Sequence, residues 1–160
     1  MSAPAATPVI ASITAPVTAP VTRPATAPSA CPCRNGSDLT TPHTAYAACC
    51  GRYHAGALLG LAPTAEALMR SRYSAFVLDL TDYLLATWHV STRPVDVEPN
   101  PVGLKWLGLE VRAAHSQDAD HASVEFVARS KLAGRAQRLH ETSRFTREGG
   151  RWFYVDGVQR

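Results

Sequence analysis

Arg135-Ala136-Gln137-Arg138-Leu139-His140-Glu141-Thr142-Ser143-Arg144-Phe145-Thr146-Arg147, then Glu148-Gly149-Gly150, then Arg151-Trp152-Phe153-Tyr154-Val155-Asp156-Gly157-Val158, is the stretch on which the fold turns. Leu139, Glu141, Ser143 and Phe145 alternate with His140, Thr142, Arg144 and Thr146. A period of two puts the two sets on opposite faces of a strand. Glu148-Gly149-Gly150 reads as a tight turn and the aromatic run after it as a second strand, so the stretch is a β-hairpin.

Toward the N-terminus, two more runs read as strands. His121 to Lys131 carries Val124-Glu125-Phe126-Val127, with Gly134 in the turn that follows. Leu104 to His115 alternates Leu107, Leu109 and Val111 against Trp106, Gly108 and Glu110. Residues 94–103 hold three prolines and one glycine and read as a connection. Before them the period changes. Thr64 is an N-cap, Glu66 sits in the first turn, and Met69, Tyr73, Phe76, Val77 and Leu80 share one helical face, with Arg70 and Ser74 away from it. A second short helix follows Thr81-Asp82, with Leu84, Leu85 and Trp88 as its apolar positions. Two helices followed by four strands predict an α+β fold, an antiparallel curved sheet packed on helices.

Cys31-Pro32-Cys33 and Cys49-Cys50-Gly51 contain every cysteine of the chain. Two thiolate pairs joined by a short loop can converge on one tetrahedral zinc ion, so Cys31, Cys33, Cys49 and Cys50 are the expected ligands of Zn2+. His43 lies nearby and reads as a loop histidine, because four thiolates already close a structural site. Two disulfides would require a secreted chain. The N-terminus has no basic n-region, and prolines interrupt any h-region. The expected setting is therefore cytoplasmic. Cys31-Pro32-Cys33 is C-x-C, not the C-x-x-C of a redox helix start.

The expected organisation is a disordered Ala/Pro/Thr-rich tail over 1–30, a metal-binding motif over 31–51, a linker over 52–63 and the main domain over 64–160. Half of the chain's 12 prolines fall in the tail. A formal net charge of +3, spread along the chain, gives no indication of nucleic acid. No apolar run approaches the roughly 18 residues of a membrane span.

Several stretches together resemble a known family. Cys31-Pro32-Cys33, Gly36, Tyr46 and Ala47-Ala48-Cys49-Cys50-Gly51 look like the SEC-C motif, a short zinc-binding module. Glu66 to Phe76, Asp82 to His89, Leu139 to Phe145 and Trp152 to Gly157 are similar to the YchJ-type, or UPF0225, proteins of bacteria. The resemblance spans residues 31 to 157. It implies an NTF2-like domain, a cone of helices on a curved sheet, behind a SEC-C motif. It supplies no activity. Two features depart from the family pattern. The loop between the cysteine pairs, residues 34–48, is longer than usual, and Arg34 stands where glycine is favoured. A longer loop adds little closure entropy, so metal binding is expected to survive.

An NTF2-like cone implies a cavity between helices and sheet. Tyr73, Tyr83, Trp88, His89, Trp106, Glu125, His140, Glu141 and Arg144 are the candidates to line it. Glu141, His140 and Tyr73 are the candidates for chemistry, a Glu or His in an apolar pocket being able to serve as a general base. An Arg70 or Arg72 partner would instead make Glu141 part of a structural salt bridge. The first expectation is a binding or adaptor protein whose zinc motif is structural or contacts another protein, with a pocket for a small molecule. The second is a cavity enzyme doing isomerase- or hydratase-type acid–base chemistry on a small organic molecule. Geometry discriminates: an enzyme needs a carboxylate or imidazole free of structural partners and facing the cavity.

Overall fold

The computed structural model describes residues 26–34 and 44–160. The expected tail falls mostly on residues outside that range, as do Gly36 and His43. Ser29 and Ala30, expected within the tail, are part of the fold. Ala30 bridges Ala45, and the Ser29 carbonyl accepts from the Tyr46 N–H at 3.1 Å.

Strands β1 (Lys105–Ser116), β2 (His121–Leu132), β3 (Arg135–Glu148) and β4 (Arg151–Gln159) form one antiparallel sheet in the order β1-β2-β3-β4. Each strand pairs with its chain neighbour, as short turns require. Gly149 and Gly150 both have positive φ, which a two-residue turn between right-twisted strands demands. Leu139, Glu141, Ser143 and Phe145 pair with Ala128, Phe126, Val124 and Ala122, and this set faces the helices.

The phase expected for the first strand is wrong at its start. Trp106 pairs with Ser130, but Gly108 pairs with Arg129, so Leu107 is an extra residue in a β-bulge. The bulge flips the alternation. Trp106 shares the inner face with Leu109 and Val111, and Leu107 is left 51% exposed.

Helix α1 (Gly51–His54) follows the second cysteine pair, α2 (Ala65–Val77) carries the Thr64 cap, and α3 (Thr81–Ala86) is short. The Thr64 hydroxyl accepts from the Ala67 N–H at 3.1 Å. α2 packs on β1, β2 and β4. Met69, Tyr73 and Leu80 are buried as expected, but so are Leu68, Ser71, Arg72, Ser74 and Ala75. Arg70 and Ser74, expected away from the core, face the cysteine segment. The Cys31 Sγ lies 3.7 Å from the Ser74 Oγ, and the Arg70 Nη1 donates to the Cys33 carbonyl at 3.4 Å. The helix therefore has two buried sides, one on the sheet and one on the cysteines. Fully burying Leu68 contributes about 1.5–3 kcal/mol.

The expected linker over 52–63 is not a free connection. Tyr53, His54 and Ala62 are buried, so the cysteine segment and the sheet domain pack as one unit. Among the described residues, no helix is long and apolar enough to cross a membrane.

Candidate metal centre and cavity

The four Sγ atoms of Cys31, Cys33, Cys49 and Cys50 lie within 4.8 Å of one another. Neighbouring pairs are 3.5 Å (Cys31–Cys33), 3.6 Å (Cys33–Cys49) and 4.0 Å (Cys49–Cys50) apart. A disulfide needs about 2.05 Å. Four sulfurs each about 2.3 Å from a tetrahedral zinc ion stand about 3.8 Å from each other. The observed spacings bracket that value, so the donor set fits a tetrahedral thiophilic metal. Cys31, Cys33 and Cys50 are buried and Cys49 is half-buried, a closed arrangement rather than one with an open coordination position.

Electrostatics favour a cation at the same point. Hydrogen bonds from Cys33 and Cys50 pull the Cys31 thiol far below the usual range. The same cluster pushes Cys33 and Cys50 up, each chiefly through Cys31. The Cys50 hydrogen bond holds Cys49 down at about 6. Some thiols ionise only because others keep their protons. Ionising all four together takes a positive charge among them. Arg34 contributes from the rim. Partial burial pulls its pKa down, but the negative charge at Cys33 and Cys49 outweighs that and holds it above the ordinary value.

His54 locks this unit to α2. Its Nε2 lies 2.9 Å from the Ser71 carbonyl, which can only accept, so Nε2 carries the proton. Its Nδ1 then accepts the Tyr46 hydroxyl at 2.6 Å. Burial holds the His54 pKa below the ordinary histidine value, with the Ser71 hydrogen bond working the other way. The unfolded chain therefore takes up this proton first as pH falls. The His54 contribution is complete above about pH 6.5 and is lost as pH drops through the lower folded-state value. Urea midpoints measured downward from pH 7.5, with metal content followed in parallel, should show this slope. A His54→Gln protein should be less stable and lack it.

A cavity of about 420 Å³ lies between α2 and the inner face of the sheet. Of the expected residues, Tyr73, Trp88, Trp106 and Glu141 line it. Tyr83, His89, Glu125, His140 and Arg144 do not. Tyr83 is fully buried between the helices, bonded to the Ser71 hydroxyl at 2.7 Å. His89 pairs with Glu148 at 3.1 Å. His140 and Glu125 pair at 2.7 Å on the outer face, and Arg144 is held by Asp156 there. His140 was legible as facing away from Glu141, since adjacent strand residues point to opposite faces.

Among the described residues, Glu141 forms no ion pair with an arginine. Arg70 pairs with Glu66 at 2.8 Å, and Arg72 makes no ion pair among the described residues. The Glu141 Oε1 accepts from the Ser143 hydroxyl at 2.6 Å and the Tyr154 hydroxyl at 3.5 Å. Its carboxylate lies across Gly157 of β4, where an added Cβ would collide with it. A Gly157→Ala protein should fold with a loss of about 1–2 kcal/mol, because the colliding atoms end a flexible side chain and the main loss is the Ser143 bond. Chemical denaturation measures this; a loss above about 4 kcal/mol would mean that the strand itself has moved.

Sequence reasoning missed Arg72 and Tyr154 in the cavity wall. Arg72 is buried against the rings of Trp88 (5.0 Å) and Tyr154 (4.6 Å), which contact each other edge to face. Its Nη1 donates to the Leu84 carbonyl at 2.7 Å and the Thr87 hydroxyl at 2.8 Å. Burial pulls its pKa down to about 10, so it stays charged at neutral pH. Burial also raises Tyr73 and Tyr154 to about 12 each, which keeps both phenols protonated. The signal for Arg72 was its spacing, one residue before the apolar Tyr73, but a charged residue inside a helical run reads as surface.

Residues 64–157 match the family model described as YchJ, middle NTF2-like domain. A UPF0225 protein of Bordetella pertussis is 66% identical over 113 residues, covering 71% of this chain and 85% of its own length. A UPF0225 protein of Methylibium petroleiphilum is 63% identical over 127 residues, covering 79% and 86%. Among solved structures, a SEC-C motif containing protein from Psychrobacter arcticus aligns with a TM-score of 0.68 at 31% identity, over 81% of this chain and 82% of that one. A SEC-C motif containing protein from Rhodopseudomonas palustris aligns with a TM-score of 0.62 at 31% identity, over 72% and 92%. Four clustered cysteines lead into an α+β, NTF2-like sheet and helix layer, and the relatives share that sequence over most of their length. The chain belongs to the UPF0225 family and carries its YchJ-type NTF2-like domain.

Proposed function

We propose that this is a small-molecule binding protein with a structural zinc site. The observation that carries the reading is the position of α2. One side of the helix is packed on the cysteine segment, Ser74 against Cys31 and Ser71 against His54, and the other lines the cavity with Met69, Tyr73 and Phe76. Zinc suits the four-thiolate donor set and needs no open position there. Its place is under the cavity wall, where it stiffens the helix that shapes the pocket. Aromatic walls with a few polar groups are what small organic ligands require, and the volume falls in the usual range. The protein's setting on this reading is the cytoplasm, where thiolates stay reduced and available to zinc.

Zinc content of the purified protein and an NMR fragment screen test the two halves. About one zinc per chain is expected by elemental analysis. Saturable shifts of the Trp88 and Trp106 indole signals are expected with at least one class of small aromatic fragment. A chain free of any metal, or no saturable shift at millimolar fragment, would overturn the corresponding half.

A second reading has its own observation. Glu141 faces the cavity with no ion-pair partner among the described residues, which meets the condition set above in part, since Ser143 and Tyr154 both donate to its Oε1. A Glu141→Gln protein that binds a cavity ligand but no longer exchanges its acidic C–H protons with solvent would support acid–base chemistry. Equal exchange in both proteins would exclude it.

A further inference from the structure

Arg72 and Glu141 line the same cavity with opposite charges, close enough to feel each other's charge but with no direct ion pair. Both hydrogen bonds of Arg72 leave from Nη1. Both bonds to Glu141 arrive at Oε1. Tyr154 links the two, its ring under the guanidinium and its hydroxyl toward the carboxylate. The remaining edge of each charged group has no partner among the described residues. The other walls are mostly aromatic or apolar, with Tyr73, Trp106, Phe126 and Phe145 prominent; Asn100, Ser143 and the solvent-exposed Glu98 are the further polar lining residues.

This arrangement selects a ligand by charge. An anion would answer Arg72 but meet the Glu141 carboxylate in a poorly solvated space. A cation would answer Glu141 but meet Arg72. Either leaves one charge facing its like, and repulsion between like charges in low dielectric makes that costly. A zwitterion would match both but must leave water for apolar walls. A neutral group with an acceptor beside a donor satisfies both edges and desolvates cheaply. Flat rings suit the aromatic walls. We propose that the cavity takes a neutral, planar amide or lactam, its C=O accepting from Arg72 and its N–H donating to Glu141. The inference rests on the small-molecule reading above and names the ligand class for it.

Four probes of similar size separate the alternatives by titration against the zinc-loaded full chain, read on the tryptophan indole signals. They are 2-quinolinone (lactam), 2-naphthoate (anion), 2-naphthylmethylammonium (cation) and naphthalene (apolar). The lactam is expected to bind at least about tenfold tighter than each of the others, the discrimination that one charge-assisted hydrogen bond supplies. Glu141→Gln, with fold checked by zinc content and near-UV circular dichroism, is expected to weaken the lactam about tenfold and naphthalene little. Tighter binding of the anion or the cation, or equal binding of lactam and naphthalene, would overturn the ligand class and leave the cavity reading standing. No binding by any probe at millimolar concentration would overturn both. The wild-type rank order decides the matter even where the variant does not fold.

Discussion

A Cys49→Ser/Cys50→Ser protein is expected to purify without zinc and to melt at least roughly 10 °C below the wild type. The four sulfurs are spaced for one tetrahedral ion, and two serine hydroxyls cannot replace two thiolates on it. Metal binding in such a site is folding free energy, because the unfolded chain holds no preformed cluster. The loss does not stay local. Cys31 touches Ser74, His54 bonds the Ser71 carbonyl, and Tyr46 bonds His54, so α2 loses the support of one buried side. A loss of about 4 kcal/mol or more corresponds to the stated shift for a chain of this size. Elemental analysis and a thermal scan measure it. Zinc retained in the variant would refute the ligand set. A zinc-free variant melting with the wild type would refute the structural role.

Arg72→Ala should cost about 3 kcal/mol, and Arg72→Met much less. Truncation to Ala empties the space beside Trp88 and Tyr154 and strips two hydrogen bonds from the end of α3, which points to a large loss. Against that stands the burial of a guanidinium that makes no direct ion pair among the described residues. Burial lowers its pKa to about 10, from an ordinary value near 12.5, which corresponds to about 3 kcal/mol of destabilisation by the charge. Methionine keeps most of the volume and removes the charge, so the two terms nearly offset. Arg72→Lys should not rescue, since a point charge on a flexible stem cannot reproduce a planar guanidinium packed against two rings. Urea denaturation of the three variants gives the order. A methionine variant as unstable as the alanine one would show that the charge itself stabilises the fold.

The sequence by itself determined the layer structure. Period-two alternation from Leu139 to Phe145, the Gly149-Gly150 turn and the period change before residue 94 suffice for helices on an antiparallel sheet, because they depend only on local geometry. It also singled out the four cysteines that the fold gathers into one cluster, since every cysteine lies in two close pairs. Glu141 was legible as inward-facing for the same reason as Leu139. The tertiary structure decided the rest. The Leu107 bulge, which puts Trp106 into the cavity, depends on pairing with Ser130 and Arg129 across the sheet. The second buried side of α2 arises because the cysteine segment folds back onto Ser71 and Ser74, a contact between parts of the chain that no local pattern encodes. Arg72 reads as a surface residue in one dimension. It is buried because Trp88, just after α3, and Tyr154, in the last strand, meet edge to face and together cover its guanidinium.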